Sequence, residues 1–357
     1  MHDEVAGARS VRDEDAFDTR AVDAWLRSNA DASTWGSGAP QVQQFSGGAS
    51  NLTYLLRYPD QDLILRRPPA GTKAKGAHDM GREYRIQAAL HGSFPYVAPM
   101  VALCTDESVL GSQFYVMERV PGPIPRKELG IDLSPDEVRR LCTNVIDLLI
   151  DLHAVDPAGA GLDTLGKGEG YVARQVDGWV GRFRTSRTWN VPTWEKVIGW
   201  LEENQPADRG ACLIHNDFRF DNVVLDDADP TRPIALLDWE LATVGDPLMD
   251  LGCTLSYWVE AADPWYEQLF RMQPTHLDGM MTRREVVDYY SARTGIALSR
   301  REWAFYQAYG IFRLAVILQQ IYYRYHHKQT TNPKFKNYWI GSHVLHRRAR
   351  AIIRAAR

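Results

Sequence analysis

The chain has 357 residues, 45% of them hydrophobic and 24% charged, with a formal net charge of −4. That is apolar material for two packed lobes, and it excludes a disordered or fibrous chain. The charge is unevenly spread: Arg283 to Arg357 holds fifteen Lys or Arg against three acids, so the remainder is acidic. No recognition module or dense basic–aromatic interleaving points to nucleic acid. The four cysteines, Cys104, Cys142, Cys212 and Cys253, form no C-x-x-C pair and read as reduced thiols of a cytoplasmic protein. Neither a signal peptide nor a membrane span is expected, because residues 1–20 are rich in acids and Arg and polar residues interrupt the long apolar stretch at 302–325.

In chain order, residues 1–17 are charged and read as frayed. A helix is expected from Asp18 to Asn29, then strands at Val42–Phe45, Leu52–Tyr58 and Leu63–Arg66, the last two joined by a turn at Pro59-Asp60-Gln61. A helix follows over Asp79–His91, and two more strands over Met100–Cys104 and Gln113–Val120. Residues 1–120 therefore form a β-rich first lobe with one interior helix. Pro121-Gly122-Pro123 and Pro125 break the pattern, making 121–133 a connection. Ser134-Pro135-Asp136-Glu137 starts a helix with a cap, a first-turn Pro and a Glu three residues after the cap. Helical patterns recur near 171–187, 193–204, 247–260, 283–294, 300–326 and 335–354, so 134–357 is a mostly helical second lobe.

The chemistry is concentrated in HNDFRFDN (215–222) and the acid of LLDWE (236–240). With ten His, twenty-nine Asp and nine Asn, chance placement gives about 0.02 matches to H-x-D-x4-N in the chain. Phosphoryl transfer to an alcohol needs a carboxylate that orients the hydroxyl and takes its proton, and Asp217 is the candidate. Magnesium prefers a few hard oxygens and completes its shell with phosphate and water, which suits Asn222 and Asp238. His215 reads as a loop brace that aims Asp217. Asp246 and Asp250, at i and i+4 where a helix starts, read as capping and bracing residues, with Asp250 able to buttress the loop from behind. His343 and His346 lack an acid or Cys to complete a zinc set.

On the nucleotide side, Ser46-Gly47-Gly48-Ala49-Ser50-Asn51 lies between two strand patterns. There the backbone amides of Gly47, Gly48 and Ser50 could close over phosphates, or simply form a hairpin turn. Arg66 ends the next strand, and Glu83 in GREYR is placed to pair with it. Met117, Glu118 and Val120, just before the connection, carry backbone groups suited to an adenine edge.

At these residues the chain resembles the aminoglycoside phosphotransferase superfamily, and more closely the branch found as a kinase-like domain attached to certain acyl-CoA dehydrogenases. The resemblance spans roughly 40–345 and rests on ILRRPPAG (64–71), GREYR (81–85), YVMERVPG (115–122), HNDFRFDNVVLD (215–226), LLDWELATVGDPLMDLG (236–252) and FYQAYGIFRLAVILQQIYYRY (305–325). It implies an α+β, bilobal protein-kinase-like fold, with an antiparallel N-lobe sheet and a mostly helical C-lobe. It also implies ATP and magnesium as cofactors, Asp217 as catalytic base, Asn222 and Asp238 as metal ligands, and Arg66 with Glu83 as the phosphate-anchoring pair. Two departures stand out: Arg66 replaces the Lys of many relatives, and Asn216 replaces the usual Gly between His and Asp. The branch implies a small-molecule hydroxyl acceptor of the hydroxyacyl type, and the basic C-terminal stretch favours an anionic one over polycationic aminoglycosides. An aminoglycoside phosphotransferase and a non-catalytic nucleotide-binding pseudokinase are the alternatives. A protein kinase is disfavoured, since eleven residues between Asp238 and Asp250 leave no room for a long activation segment.

Overall fold

The computed structural model describes residues 5–45, 51–69 and 79–356; Gly47, Gly48 and Ser50 lie outside them. The chain divides into two compact units, Met1–Pro121 with Ala235–Glu240, and Gly122–Ile234 with Leu241–Arg357.

The first unit is built on β1 (Ala8–Arg9), α1 (Thr19–Asn29), β2 (Gln41–Phe45), β3 (Leu52–Arg57), β4 (Asp62–Arg67), α2 (Met80–Leu90), β5 (Met100–Cys104) and β6 (Phe114–Glu118). The strands form one antiparallel sheet in the order β1-β2-β3-β4-β6-β5. Alternation along the strands feeds two cores. Tyr54, Leu56, Leu63 and Leu65 pack with Val22 and Leu26 of α1, while Leu55, Ile64, Tyr115 and Met117 pack with Met80 of α2. The same alternation sends Arg66 to the α2 face and Arg67 to the α1 face.

Residues 8–17 correct the expectation of a frayed N-terminus. Ala8 and Arg9 pair with Phe45 and Gln44. The carbonyl of Asp15 accepts from Arg67 Nη2 at 2.6 Å and from the Tyr54 hydroxyl at 2.8 Å, and its carboxylate accepts from Gln44 at 2.8 Å. The charged composition concealed a segment whose polar groups find partners in a buried setting.

The second unit contains α3 (Pro135–Ala154), α4 (Tyr171–Ser186), α5 (Glu195–Glu203), β7 (Cys212–Ile214), β8 (Val223–Leu225), the first residues of β9 (Pro233–Leu236), β10 (Thr243–Gly245), α6 (Pro247–Ser256), α7 (Trp265–Gln268), α8 (Arg283–Thr294), α9 (Arg300–His326) and α10 (Tyr338–Ala355). The α3 capping box forms as its sequence implies, with Ser134 and Glu137 satisfying each other's backbone donors. The helix expected over 247–260 stops at Ser256 instead. There the Tyr257 and Trp258 amides turn back to Thr254 and Leu255, and Arg348 reaches the carbonyls of Leu255, Ser256 and Trp258. Those carbonyls gain partners without another helical turn. Every residue of α6 is buried. Its crossing with α9 is backbone on backbone: a Cβ on Gly310 would lie 2.1 Å from the Gly252 carbonyl oxygen, and one on Gly252 would lie 2.5 Å from that of Tyr306.

Candidate active site

In the first unit, the α2 face of β4 presents Arg66 between two acids. Its Nη1 donates to Glu83 Oε1 at 2.6 Å and its Nη2 to Asp238 Oδ1 at 3.0 Å. Asp238 belongs to this unit because its segment is tied into it: Leu236 N–H donates to the Tyr96 carbonyl at 2.7 Å, and Trp239 packs edge-on against Phe94. The Asp238 backbone is left-handed at φ 68°, which Asp tolerates better than most residues. Asn51 Nδ2 donates to Glu240 Oε2 at 3.2 Å, and Arg82 Nη1 to the Glu240 carbonyl at 3.1 Å. Glu83 is 1% exposed, so its pairing with Arg66 is buried rather than a surface ion pair. Burial raises the Glu83 pKa, and the Arg66 charge offsets only part of that rise. Burial opposes the charge on Arg66, but Tyr115, Glu83 and Asp238 together raise its pKa well above the ordinary value.

Met117 is buried in the α2-side core, and Val120 packs against it. The Glu118 amide already donates to the Pro99 carbonyl at 2.8 Å, so this N–H is committed within the sheet.

In the second unit, residues 215–222 run from β7 to β8. Asn216 takes a left-handed conformation at φ 64°, which resolves its departure from Gly: Asn is among the residues that adopt this region most readily. Asp250, fully buried on α6, clamps the loop from behind. Its Oδ2 accepts from the His215 amide at 2.7 Å and its Oδ1 from the Asn216 amide at 2.8 Å, with His153 Nε2 3.2 Å from Oδ2. The reading of Asp250 as a buttress holds, and Asp246 caps α6 through the Leu248 and Met249 amides. His215 Nδ1 accepts from the Asp217 amide at 3.3 Å. Asn222 Nδ2 donates to the Asp217 carbonyl at 2.9 Å and to its Oδ2 at 3.3 Å. Asn222 thereby spends its amide donors on Asp217 and keeps its oxygen as an acceptor, as a hard-cation ligand must.

Residues not singled out in the sequence complete this loop's surroundings. Arg219 Nε lies 3.6 Å from Asp217 Oδ1, its Nη2 donates to Asp221 at 3.0 Å, and its guanidinium sits over the Tyr257 ring at 4.9 Å. Arg313, buried on α9, donates to the Asn216 carbonyl at 2.8 Å and stacks over Trp179. Its pKa is raised: burial opposes the charge, and Cys253, Tyr309, Tyr257 and Asp217 outweigh it. Arg219 stood inside the HNDFRFDN run, two residues from Asp217, and Arg313 inside the 305–325 run, where nothing in the spacing brings it to the Asn216 carbonyl.

The profile of the phosphotransferase enzyme family matches residues 41–282. Mouse acyl-CoA dehydrogenase family member 10 is 34% identical over 325 residues, covering 91% of this chain and 30% of that protein. The rat family member 11 is 35% identical, covering 87% and 40%, so this chain spans less than half the length of these relatives. A crystal structure from Ralstonia eutropha JMP134, described as a candidate aminoglycoside phosphotransferase, is 30% identical with a TM-score of 0.77, covering 94% of this chain and 99% of that one. At 16% identity and a TM-score of 0.54, a streptomycin–ATP ternary complex of an aminoglycoside phosphotransferase shares the fold alone, over 85% of this chain and 90% of that one. The chain has the kinase-like α+β fold and belongs to the phosphotransferase enzyme family.

Proposed function

We propose that the protein transfers the γ-phosphoryl group of ATP to a hydroxyl of an anionic small molecule of the hydroxyacyl type. Asp217 orients the hydroxyl and takes its proton as the new P–O bond forms and the bond to the departing ADP oxygen breaks. Asn222 and Asp238 are the magnesium ligands, and bound magnesium would offset negative charge on the phosphates. Arg66, held by Glu83, anchors phosphate oxygens. Gly47, Gly48 and Ser50 supply backbone amides over the phosphates, while Met117, Glu118 and Val120 border the adenine.

The observation that carries the reading is the setting of Asp217: its carboxylate is held by Asn222 and flanked by the Arg219 guanidinium. Arg313 adds a second cation, on the Asn216 carbonyl, beside the acids Asp217, Asp221 and Asp250. Arg219 and Arg313 offer cationic partners to an anionic acyl compound, and the fifteen basic against three acidic residues of 283–357 disfavour a polycationic aminoglycoside. The names of the curated relatives point the same way.

ADP release with MgATP, measured across hydroxyacyl-coenzyme A thioesters, free hydroxy acids, aminoglycosides and choline with Asp217→Asn as the blank, tests the proposal. Turnover confined to hydroxyacyl compounds, at least 100-fold above the blank, is expected. Turnover of kanamycin overturns the acceptor assignment, and equal rates for wild type and variant overturn the enzyme reading.

A further inference from the structure

A cavity of about 250 Å³ opens in the second unit between the end of α6, the 267–272 segment, α9 and α10. Its walls include Leu314 and Leu318 of α9 and Val344 of α10, and at its mouth Leu269, Phe270 and Met272 are 68%, 39% and 50% exposed. Large apolar side chains grouped around a concave site are uncommon on a surface with nothing to bind. Gly341 of α10 lines the cavity, and a Cβ there would meet Leu318 at 3.1 Å and Phe270 at 3.6 Å, so a side chain added at this position intrudes on the apolar wall. The volume equals that of about eight liquid water molecules, enough for a hydrocarbon chain of medium length.

One wall residue ties the cavity to the chemistry. Tyr257 lines it, and the same ring carries the Arg219 guanidinium that lies 3.6 Å from Asp217. The apolar walls therefore share one residue, Tyr257, with the Arg219 guanidinium beside the proposed catalytic carboxylate. The cavity's own lining carries Arg271 and Arg348 against one acid, Glu267, so apolar walls with an excess of positive charge suit a single amphiphilic anion.

We infer that this cavity is the acyl-chain subsite, taking the hydrocarbon part of the acceptor while its polar part faces Arg219 and Asp217. The inference rests on the phosphoryl-transfer reading for the identity of its occupant. Its test is independent of turnover. The full chain is titrated calorimetrically with hexanoyl-, octanoyl- and decanoyl-coenzyme A, which have no acceptor hydroxyl on the chain. Affinity is expected to rise about fourfold per added methylene, the effect of burying each one. Gly341→Leu, which fills the cavity, should weaken decanoyl binding at least tenfold and abolish the chain-length dependence. Leu269→Asp at the exposed mouth should also weaken decanoyl binding several-fold, and it keeps the test decisive should Gly341→Leu fail to fold. Affinity independent of chain length, or unchanged decanoyl binding in a folded variant, overturns the subsite. A dimer in sedimentation that Leu269→Asp dissociates, without any chain-length effect, would assign the face to self-association instead and also overturn it. Chain-length-dependent binding of these thioesters, with no ADP release from their hydroxylated counterparts, would leave the subsite standing and remove the phosphoryl-transfer reading.

Discussion

Arg66 Nη2 lies 3.0 Å from Asp238 Oδ1, while the other arm of the same guanidinium holds Glu83. The residue proposed to anchor phosphate thus positions the acid proposed to bind magnesium, leaving Asp238 Oδ2 as its second oxygen. A lysine has one ammonium and no fork, so Arg66→Lys should keep one carboxylate and release the other, raising the KM for ATP about tenfold. Arg66→Met removes the cation hydrogen-bonded to the buried Glu83 and should cost about 3–5 kcal/mol. Urea denaturation checks this, and a Met variant as stable as wild type contradicts it.

Asp250 should make the fold sensitive to acid. Burial raises its pKa, but the hydrogen bond and charge of His153, with the charge and amide of His215, outweigh burial and leave it below the ordinary 3.8. Its stabilisation is therefore complete above about pH 3.8 and is lost as pH falls through the depressed folded value. Asp250→Asn, which cannot accept from both loop amides and support His153 equally, should cost about 3–5 kcal/mol at neutral pH. Its melting temperature should also fall less steeply than that of wild type below about pH 4.

Arg313 reaches the 215–222 loop from a helix 97 residues further along the chain. Arg313→Gln should raise the KM for an anionic acceptor tenfold or more while leaving the KM for ATP within about twofold. Steady-state kinetics with each substrate varied in turn separates the two, and an equal effect on both would show that the residue only holds the fold.

The α6–α9 crossing should tolerate no side chain. In Gly310→Ala the new Cβ would stand 2.1 Å from a backbone oxygen, so the helices must part, at an expected cost of about 3 kcal/mol. Gly199 on α5 is the control, since a Cβ there meets nothing within 4 Å. Gly199→Ala should stabilise the protein by about 0.5–1 kcal/mol through helix propensity. Differential scanning calorimetry of the two variants gives the comparison.

What the sequence made legible was what local pattern encodes. Alternation in β3 and β4 gave both faces of the sheet, the Ser134–Glu137 box gave the start of α3, and spacing gave His215, Asp217 and Asn222 as one loop. Relationships made at long range were not legible. The burial of Asp15 depends on Arg67 and Tyr54 from other strands, and its own neighbourhood is a charged run. The stop of α6 depends on Arg348, which carries no local signal at residue 256. Gly252 and Gly310 read as mildly unfavourable helix residues, because a one-dimensional pattern does not contain the backbone that each must admit. Arg219 and Tyr257 meet only in the folded unit, so their arrangement beside Asp217 was not legible in the sequence.

The contact of Gly252 with Gly310 also bears on time. Asp250 is two residues before one glycine and Arg313 three after the other, and both grip the backbone at 215–216. Two helices in backbone contact have no side chains between them to rearrange, so the grip cannot loosen by rotamer changes at the crossing. The amides of His215 and Asn216 should consequently open only when this whole unit does, on the slowest scale of the molecule. The loop that presents Asp217 is a stationary reference, and the motions of a catalytic cycle must be accommodated by other parts of the chain.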